Sequence, residues 1–186
     1  VIDLFSGCGG LSRGFIDAGF KVILGIDNDQ AALNTFEKNH DGAIGLNASL
    51  AENETFDRVK QIIGNKNVDL IVGGPPCQAY STAGRVRDVK GMAKDPRNFL
   101  FESYVKILEY FRPKFFVFEN VTGILSAKVN GKHILPQVLD ALGKEYKLIN
   151  EPNILLHNTA NYGVPQIRKR IIIMGVRKDI DGKEAI

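Results

Sequence analysis

The chain has 186 residues, 44% of them hydrophobic and 24% charged, which is the balance of one soluble globular domain and excludes a disordered tail or a fibrous repeat. Roughly 70% of the unfolded surface can be buried at this length, so neither disulfides nor a structural metal is needed. The formal net charge is only +3, too small to announce a polyanion binder, and no apolar run approaches the roughly 20 residues of a membrane-spanning helix. Short β-rich runs alternate with segments of helical period, and that alternation predicts an α/β domain with a mainly parallel sheet. A strand at Val1–Phe5 leads into a helix at Leu11–Ala18, closed by Gly19 as its stop. Strands at Lys21–Ile26, Ala43–Leu46 and Val68–Val72 then alternate with helices at Gln30–Asn39 and Thr55–Ile63. No strand is expected from Pro75 to about Pro96, and a loop of that length in a compact domain is commonly a functional one. Leu100, Tyr104, Ile107, Leu108 and Phe111 form one face of a helix before a strand at Phe115–Phe118. Leu135, Val138, Leu139 and Leu142 mark the last helix, and strands at Lys147–Leu156 and Arg170–Val176 bring the expected count to seven.

Charge is distributed unevenly. Between Tyr80 and Leu100 stand Arg85, Arg87, Lys90, Lys94 and Arg97 against Asp88 and Asp95, and Asn161–Lys178 carries Arg168, Lys169, Arg170, Arg177 and Lys178 with no acid. Two such patches can contact a polyanion that the whole-chain balance conceals, although for charge clusters taken alone solvated surface is the commoner reading. Cys8 and Cys77 each sit in a glycine- or proline-rich loop and read as reduced thiols of an intracellular compartment. His40, His133 and His157 have no metal-ligand spacing with one another or with Cys, so no metal site is expected.

Four places can carry chemistry. Asp3-Leu4-Phe5-Ser6-Gly7-Cys8-Gly9-Gly10-Leu11 is a strand, a glycine-rich turn and a helix start, the arrangement that lets a nucleotide-like cofactor approach the backbone at the carboxyl end of the first strand. Asp27 ends the second strand, where an acid can hold both hydroxyls of a ribose. The spacing G-x-G-G favours an adenosine cofactor without a pyrophosphate over a dinucleotide. Gly73-Gly74-Pro75-Pro76-Cys77-Gln78 presents a thiol whose approach is fixed by two prolines; it is a candidate nucleophile, or else a small buried hydrophobe. Glu119 follows Phe116-Val117-Phe118 at a strand end, where desolvation raises a carboxyl pKa and suits it to hold a proton, unless it merely caps the next helix. Alternation along Gln166-Ile167-Arg168-Lys169-Arg170 turns Gln166, Arg168 and Arg170 to one side, so their guanidinium groups can face a phosphate or a carbonyl oxygen.

Taken in order, D-L-F-S-G-C-G-G-L, G-I-D-N-D, G-G-P-P-C-Q-A-Y-S, F-E-N-V and N-Y-G-V-P-Q-I-R-K-R resemble the ordered motifs of the C5-cytosine DNA methyltransferases. The resemblance implies a class I S-adenosylmethionine-dependent methyltransferase fold, a Rossmann-like three-layer sandwich. It implies that Phe5, Ser6, Gly7, Gly9 and Leu11 wrap S-adenosylmethionine, that Asp27 binds its ribose and Asn28 lies by the adenine, and that Pro75 and Leu100 line the same pocket. Asn47 stands where the family often has an adenine-contacting acid. Cys77 resembles the nucleophile that adds to C6 of cytosine, and Glu119 the residue that engages N3 and the exocyclic amine. Arg168 and Arg170 resemble the pair holding the base carbonyl and an adjacent phosphate, with Arg170 assigned to the base.

A stacked base cannot meet both thiol and cofactor, so the nucleotide must be flipped into the pocket. The basic loop after Cys77 is the natural lid, with Gln78, Ser81, Arg85, Arg87, Arg97 and Gln166 as expected DNA contacts. The expected partner is double-stranded DNA, with a cognate restriction endonuclease system, a monomeric state and a bacterial cytoplasmic setting. The expected product of the cofactor is S-adenosylhomocysteine. The 186 residues are expected to form the catalytic and cofactor-binding domain without the family's target-recognition region or its final segment. Competing expectations are a transfer-RNA cytosine methyltransferase, a non-catalytic regulatory subunit of the same fold and, more distantly, a nicotinamide or flavin dehydrogenase.

Overall fold

A computed structural model describes residues 1–76, 100–129, 131–148 and 152–180. The first half alternates β1 (Ile2–Leu4), α1 (Gly10–Asp17), β2 (Leu24–Asp27), α2 (Gln30–Asn39), β3 (Ile44–Asn47), α3 (Asn53–Ile63) and β4 (Leu70–Gly73). The second half adds α4 (Leu100–Phe111), β5 (Phe115–Val121), the short pair β6 (Lys128–Val129) and β7 (Lys132–His133), and α5 (Ile134–Gly143). It closes with β8 (Tyr146–Leu148), α6 (Pro152–Leu155), β9 (Leu156–Asn158) and β10 (Lys169–Arg177). The main sheet runs β3-β2-β1-β4-β5-β10-β8, with β9 also on β10. Pairing is parallel from β3 to β5, and β10 runs antiparallel to β5, β8 and β9.

This sheet has eight strands among the described residues where seven were expected. The single strand expected over Lys147–Leu156 is two, β8 and β9, with the turn of helix α6 before β9. Pro152 supplies the reason, because proline has no N–H for a ladder and a φ suited to the first helical position. The β6–β7 pair forms a separate sheet and is too short to leave a periodic signal. The other helices fall within two residues of their expected bounds. Gly19 closes α1 as expected: its φ is +89° and its N–H bonds to the Ile16 carbonyl at 2.9 Å.

Strand parity sorts the residues into two layers of core. Ile2, Leu4, Ile71, Phe116, Phe118, Ile171 and Ile173 face one side, where α3, α4 and α5 bury them. Tyr104 of α4 is fully buried there, packs edge-on against Phe118 at 5.3 Å, and sets its hydroxyl 3.2 Å and 3.1 Å from the carbonyls of Ile71 and Val117. Val72 and Val117 face the opposite side against Leu33 and Phe36 of α2, with Leu11, Phe15 and Ile16 of α1. Asp29 starts α2 by accepting from the N–H groups of Ala31 and Ala32 at 2.8 Å and 3.2 Å. Helices therefore cover both faces, and the carboxyl ends of the parallel strands gather at one edge, where α/β sheets bind ligands.

Candidate active site

Two adjoining cavities open at that edge. The first, of about 530 Å³, is walled by Phe5 after β1, Asp27 and Asn28 after β2, Ser49 and Leu50 after β3, and Leu100 at the start of α4. Asp27 is oriented by two backbone donors: Gly7 N–H reaches its Oδ2 at 2.8 Å and Asp29 N–H its Oδ1 at 3.0 Å. The carboxylate is thus fixed at the cavity wall with lone pairs left for a ligand. Phe5 adopts a φ of +59°, a left-handed conformation that costs a side-chain-bearing residue roughly 1–2 kcal/mol. Its ring belongs to the walls of both cavities.

The second cavity, of about 700 Å³, lies over the α1 side of β5 and β10. Register explains what lines it. Glu119 pairs with Ile172 across β5 and β10, and Arg170 pairs with His157 across β10 and β9. Directly paired residues share a face and so do residues two apart, so Glu119, Ile172, Arg170 and His157 all face one way. Asp3, two strands away on β1, has the same parity and joins the lining. Arg170 Nε stands 2.8 Å from Glu119 Oε1, with both side chains about a quarter exposed (22% and 25%). That N–H has no aligned hydrogen-bond acceptor, so the contact is one of charges. The carboxyl is therefore a paired one, not the lone desolvated acid that its apolar neighbours suggested. Gly74 lines both cavities. A Cβ there would come 2.8 Å from Glu119 Oε2, so any larger residue would displace the carboxylate from its present place.

Asp3 is the acid that the motif analysis passed over. It is 1% exposed, its Oδ2 has no hydrogen-bond partner, and it lines the second cavity. Burial pushes its carboxyl up to about 7, opposed by hydrogen bonds from Ser12 and assisted by the charge of Asp27. The signal was present in Val1-Ile2-Asp3-Leu4-Phe5, where one acid interrupts an apolar strand. His157, Thr159 and Tyr162 also line this cavity, and His157 Nδ1 lies 2.6 Å from the Tyr162 hydroxyl.

The expected site residues fall into three groups. Phe5, Asp27, Asn28 and Leu100 line the first cavity, and Phe5, Ser6, Leu11, Glu119, Arg168 and Arg170 the second. Several others stand behind the walls. Gly7 orients Asp27, Gly9 makes the turn at a φ of +84°, and the Pro75 carbonyl accepts from Asn120 Nδ2 at 3.3 Å while its neighbours Gly74 and Pro76 line the first cavity. Asn47 is exposed, and alternation instead turns Leu46 and Ala48 inward; Ala48 to Ala51 form that stretch of wall. Gln166 is exposed and lines neither cavity. Cys77, Gln78, Ser81, Arg85, Arg87 and Arg97 lie outside the described residues.

The second basic patch divides. Arg168 and Arg170 line the cavity, whereas Arg177 pairs with Asp179 at 2.6 Å and Lys178 donates to the Lys144 carbonyl at 2.8 Å. At ~3.4 Å per residue, seven positions of β10 separate the two ends by roughly 24 Å. Among the described residues no group of three His, Cys, Asp or Glu side chains is placed to hold a metal ion. No helix there is long and apolar enough to cross a membrane.

Comparison with known proteins places this geometry in context. The chain is 39% identical over 180 residues to the type II methyltransferase M.DdeI of Desulfomicrobium norvegicum, covering 96% of this chain and 41% of that protein. It is 38% identical over 184 residues to M.NgoPII of Neisseria gonorrhoeae, covering 98% and 49%. The chain thus spans about half the length of these relatives or less. Among solved structures, a prophage-encoded E. coli chain assigned to DNA modification superposes with a TM-score of 0.76 at 31% identity, covering 98% of this chain and 49% of that one. A mutant of DNMT2 from Spodoptera frugiperda shares the fold, with a TM-score of 0.67 at 24% identity, covering 96% of this chain and 50% of that one. The profile of the C-5 cytosine-specific DNA methylases matches residues 1–185, and the chain belongs to that family.

Proposed function

We propose that this chain is the catalytic and cofactor-binding part of a DNA (cytosine-5)-methyltransferase that acts on a flipped cytosine in duplex DNA, within a bacterial restriction-modification system. The observation that carries the reading is the shared wall: a cavity with an oriented carboxylate, Asp27, adjoins through Phe5 and Gly74 a cavity in which Glu119 touches Arg170. S-adenosylmethionine fits the first, and when bound it supplies an electrophilic methyl group on sulfur. Asp27 takes the ribose hydroxyls, and Phe5 and Leu100 flank the adenosine.

The residues of the chain divide the remaining work. Cys77 adds as a thiolate to C6 of cytosine, which makes C5 nucleophilic. Glu119 bonds N3 and the exocyclic amine and so draws electron density away from C6, while Arg170 holds Glu119 and the base carbonyl. Arg168 binds a phosphate beside the flipped nucleotide. After transfer, loss of the C5 proton and departure of Cys77 restore the aromatic ring.

The test is covalent trapping by the full-length protein. With S-adenosylmethionine and duplex DNA carrying 5-fluorocytosine, a denaturation-resistant protein–DNA complex is expected, lost in Cys77→Ser while cofactor binding persists. Methyl transfer to transfer RNA in place of duplex DNA would move the substrate to the RNA branch. Cofactor binding without trapping or transfer on either nucleic acid would favour a regulatory subunit.

A further inference from the structure

Behind the glycine-rich turn lies a buried polar chain that the proposed reaction does not use. Ser12 is 0% exposed and His40 is 1% exposed. The His40 ring stacks on Phe36 with centroids 4.1 Å apart. Its Nδ1 lies 2.8 Å from the Phe36 carbonyl and its Nε2 lies 2.9 Å from Ser12 Oγ. A carbonyl can only accept, so Nδ1 carries the proton, and Nε2 is left to accept from the Ser12 hydroxyl. Each ring nitrogen is therefore matched to one partner.

The same hydroxyl lies 3.3 Å from the Gly9 carbonyl. It has one proton and two acceptors within reach, the Gly9 carbonyl and His40 Nε2, so the imidazole decides where that proton points. The ring also fills the space that Gly9 leaves open, because a Cβ at Gly9 would overlap His40 and Phe36. What this chain steadies faces the ligand side: Gly9 N–H bonds to the Ser6 carbonyl at 2.9 Å, and Gly7, inside that turn, holds Asp27 on the wall of the first cavity at 2.8 Å.

We infer that His40 and Ser12 are positioning residues for the methyl donor: by holding the Ser12 hydroxyl, the imidazole after α2 sets the Ser6–Gly9 turn, and through Gly7 the Asp27 carboxylate, in the arrangement that the cofactor requires. The inference rests on the reading of these cavities as an S-adenosylmethionine site. It assigns a binding role to a side chain that touches neither cavity, and a hydrogen-bonding one that an apolar ring of equal size does not supply.

The test measures S-adenosylmethionine affinity by calorimetry, with steady-state kinetics on duplex DNA, in the full-length protein. His40→Leu keeps the bulk without the acceptor, and Ser12→Ala removes the donor; each is expected to weaken cofactor binding about tenfold, the scale of one buried hydrogen bond. His40→Gln retains an acceptor for Ser12 and is expected to recover most of the loss. The double variant is expected to be no weaker than the more severe single one, because the pair acts as a unit. The turnover number at saturating cofactor and KM for DNA are expected to stay unchanged, a split that general destabilisation does not produce. Wild-type affinity in folded His40→Leu, or in Ser12→Ala should the former not fold, overturns the inference, and so does His40→Gln as weak as His40→Leu. A wild-type protein that does not bind the cofactor overturns the underlying reading and this one with it.

Discussion

Phe118 and Glu119 are neighbours on β5, yet they serve opposite faces of the sheet. Phe118 points toward α3, α4 and α5, where it is fully buried with Tyr104 and Phe116. Glu119 points toward the α1 side, where β10 is less covered and Met174 remains 46% exposed. The first face is closed by three helices and is apolar at Ile2, Leu4, Ile71, Ile171 and Ile173, its buried Asn120 being satisfied by the Pro75 carbonyl. The second uses the alternate positions of the same strands for Asp3, Glu119 and Arg170. Period-2 alternation thus separates what holds the sheet together from what acts on a ligand, and stability and chemistry should respond independently to substitutions one residue apart.

Phe118→Ala should produce the largest loss of stability, roughly 3–5 kcal/mol, from the apolar contacts removed and the cavity left between β5 and α4. A denaturant titration checks it, and kcat of the remaining folded protein should change little. Glu119→Gln reverses the pattern: methyl transfer should fall about 10²- to 10³-fold, some 3–4 kcal/mol in the barrier, while the unfolding midpoint stays close to wild type. If Glu119→Gln proves as destabilising as Phe118→Ala, the division between faces is wrong.

Asp3 tests the comparison through pH. The folded chain keeps this carboxyl protonated up to about 7, against an ordinary value of 3.8. The native state therefore binds the extra proton between those values, and stability falls as pH rises through that window, with the loss complete above about 7. Wild type should lose on the order of 2–3 kcal/mol from pH 5 to pH 8 through this group alone, and Asp3→Asn should remove that slope, as denaturation at the two pH values would reveal. Asp27→Asn should have the smallest effect, weakening S-adenosylmethionine about tenfold in a calorimetric titration, since an amide keeps one acceptor for the ribose hydroxyls and for Gly7 N–H.

Much of this was legible from the chain because the informative features are local. Helical period located α1 to α5, and the positions of Asp27 and Arg170 near strand ends followed from apolar runs that stop at a charge, whereas β5, expected to stop at Phe118, runs on to Val121 because pairing with β10 carries the ladder through Glu119. Long-range pairing was not legible. His40 meets Ser12 across 28 residues, and His157 reaches the lining only because β9 and β10 pair it with Arg170. The grouping of Arg168, Lys169, Arg170, Arg177 and Lys178 as one patch failed because closeness in sequence along a strand becomes distance in space. The Lys147–Leu156 run misled for a related reason: β propensity persisted on both sides of Pro152, which starts α6.

The left-handed Phe5 has a consequence for anyone redesigning this protein. Phe5 belongs to the walls of both chambers, so trimming its side chain to widen one bears on the other as well. Linkage then requires that any such edit which alters how occupancy of one chamber favours the other do so equally in both directions. Donor analogues and base analogues are best tuned at the outer walls, at Ser49 or Leu50 on one side and Thr159 or Tyr162 on the other, with Phe5 left alone.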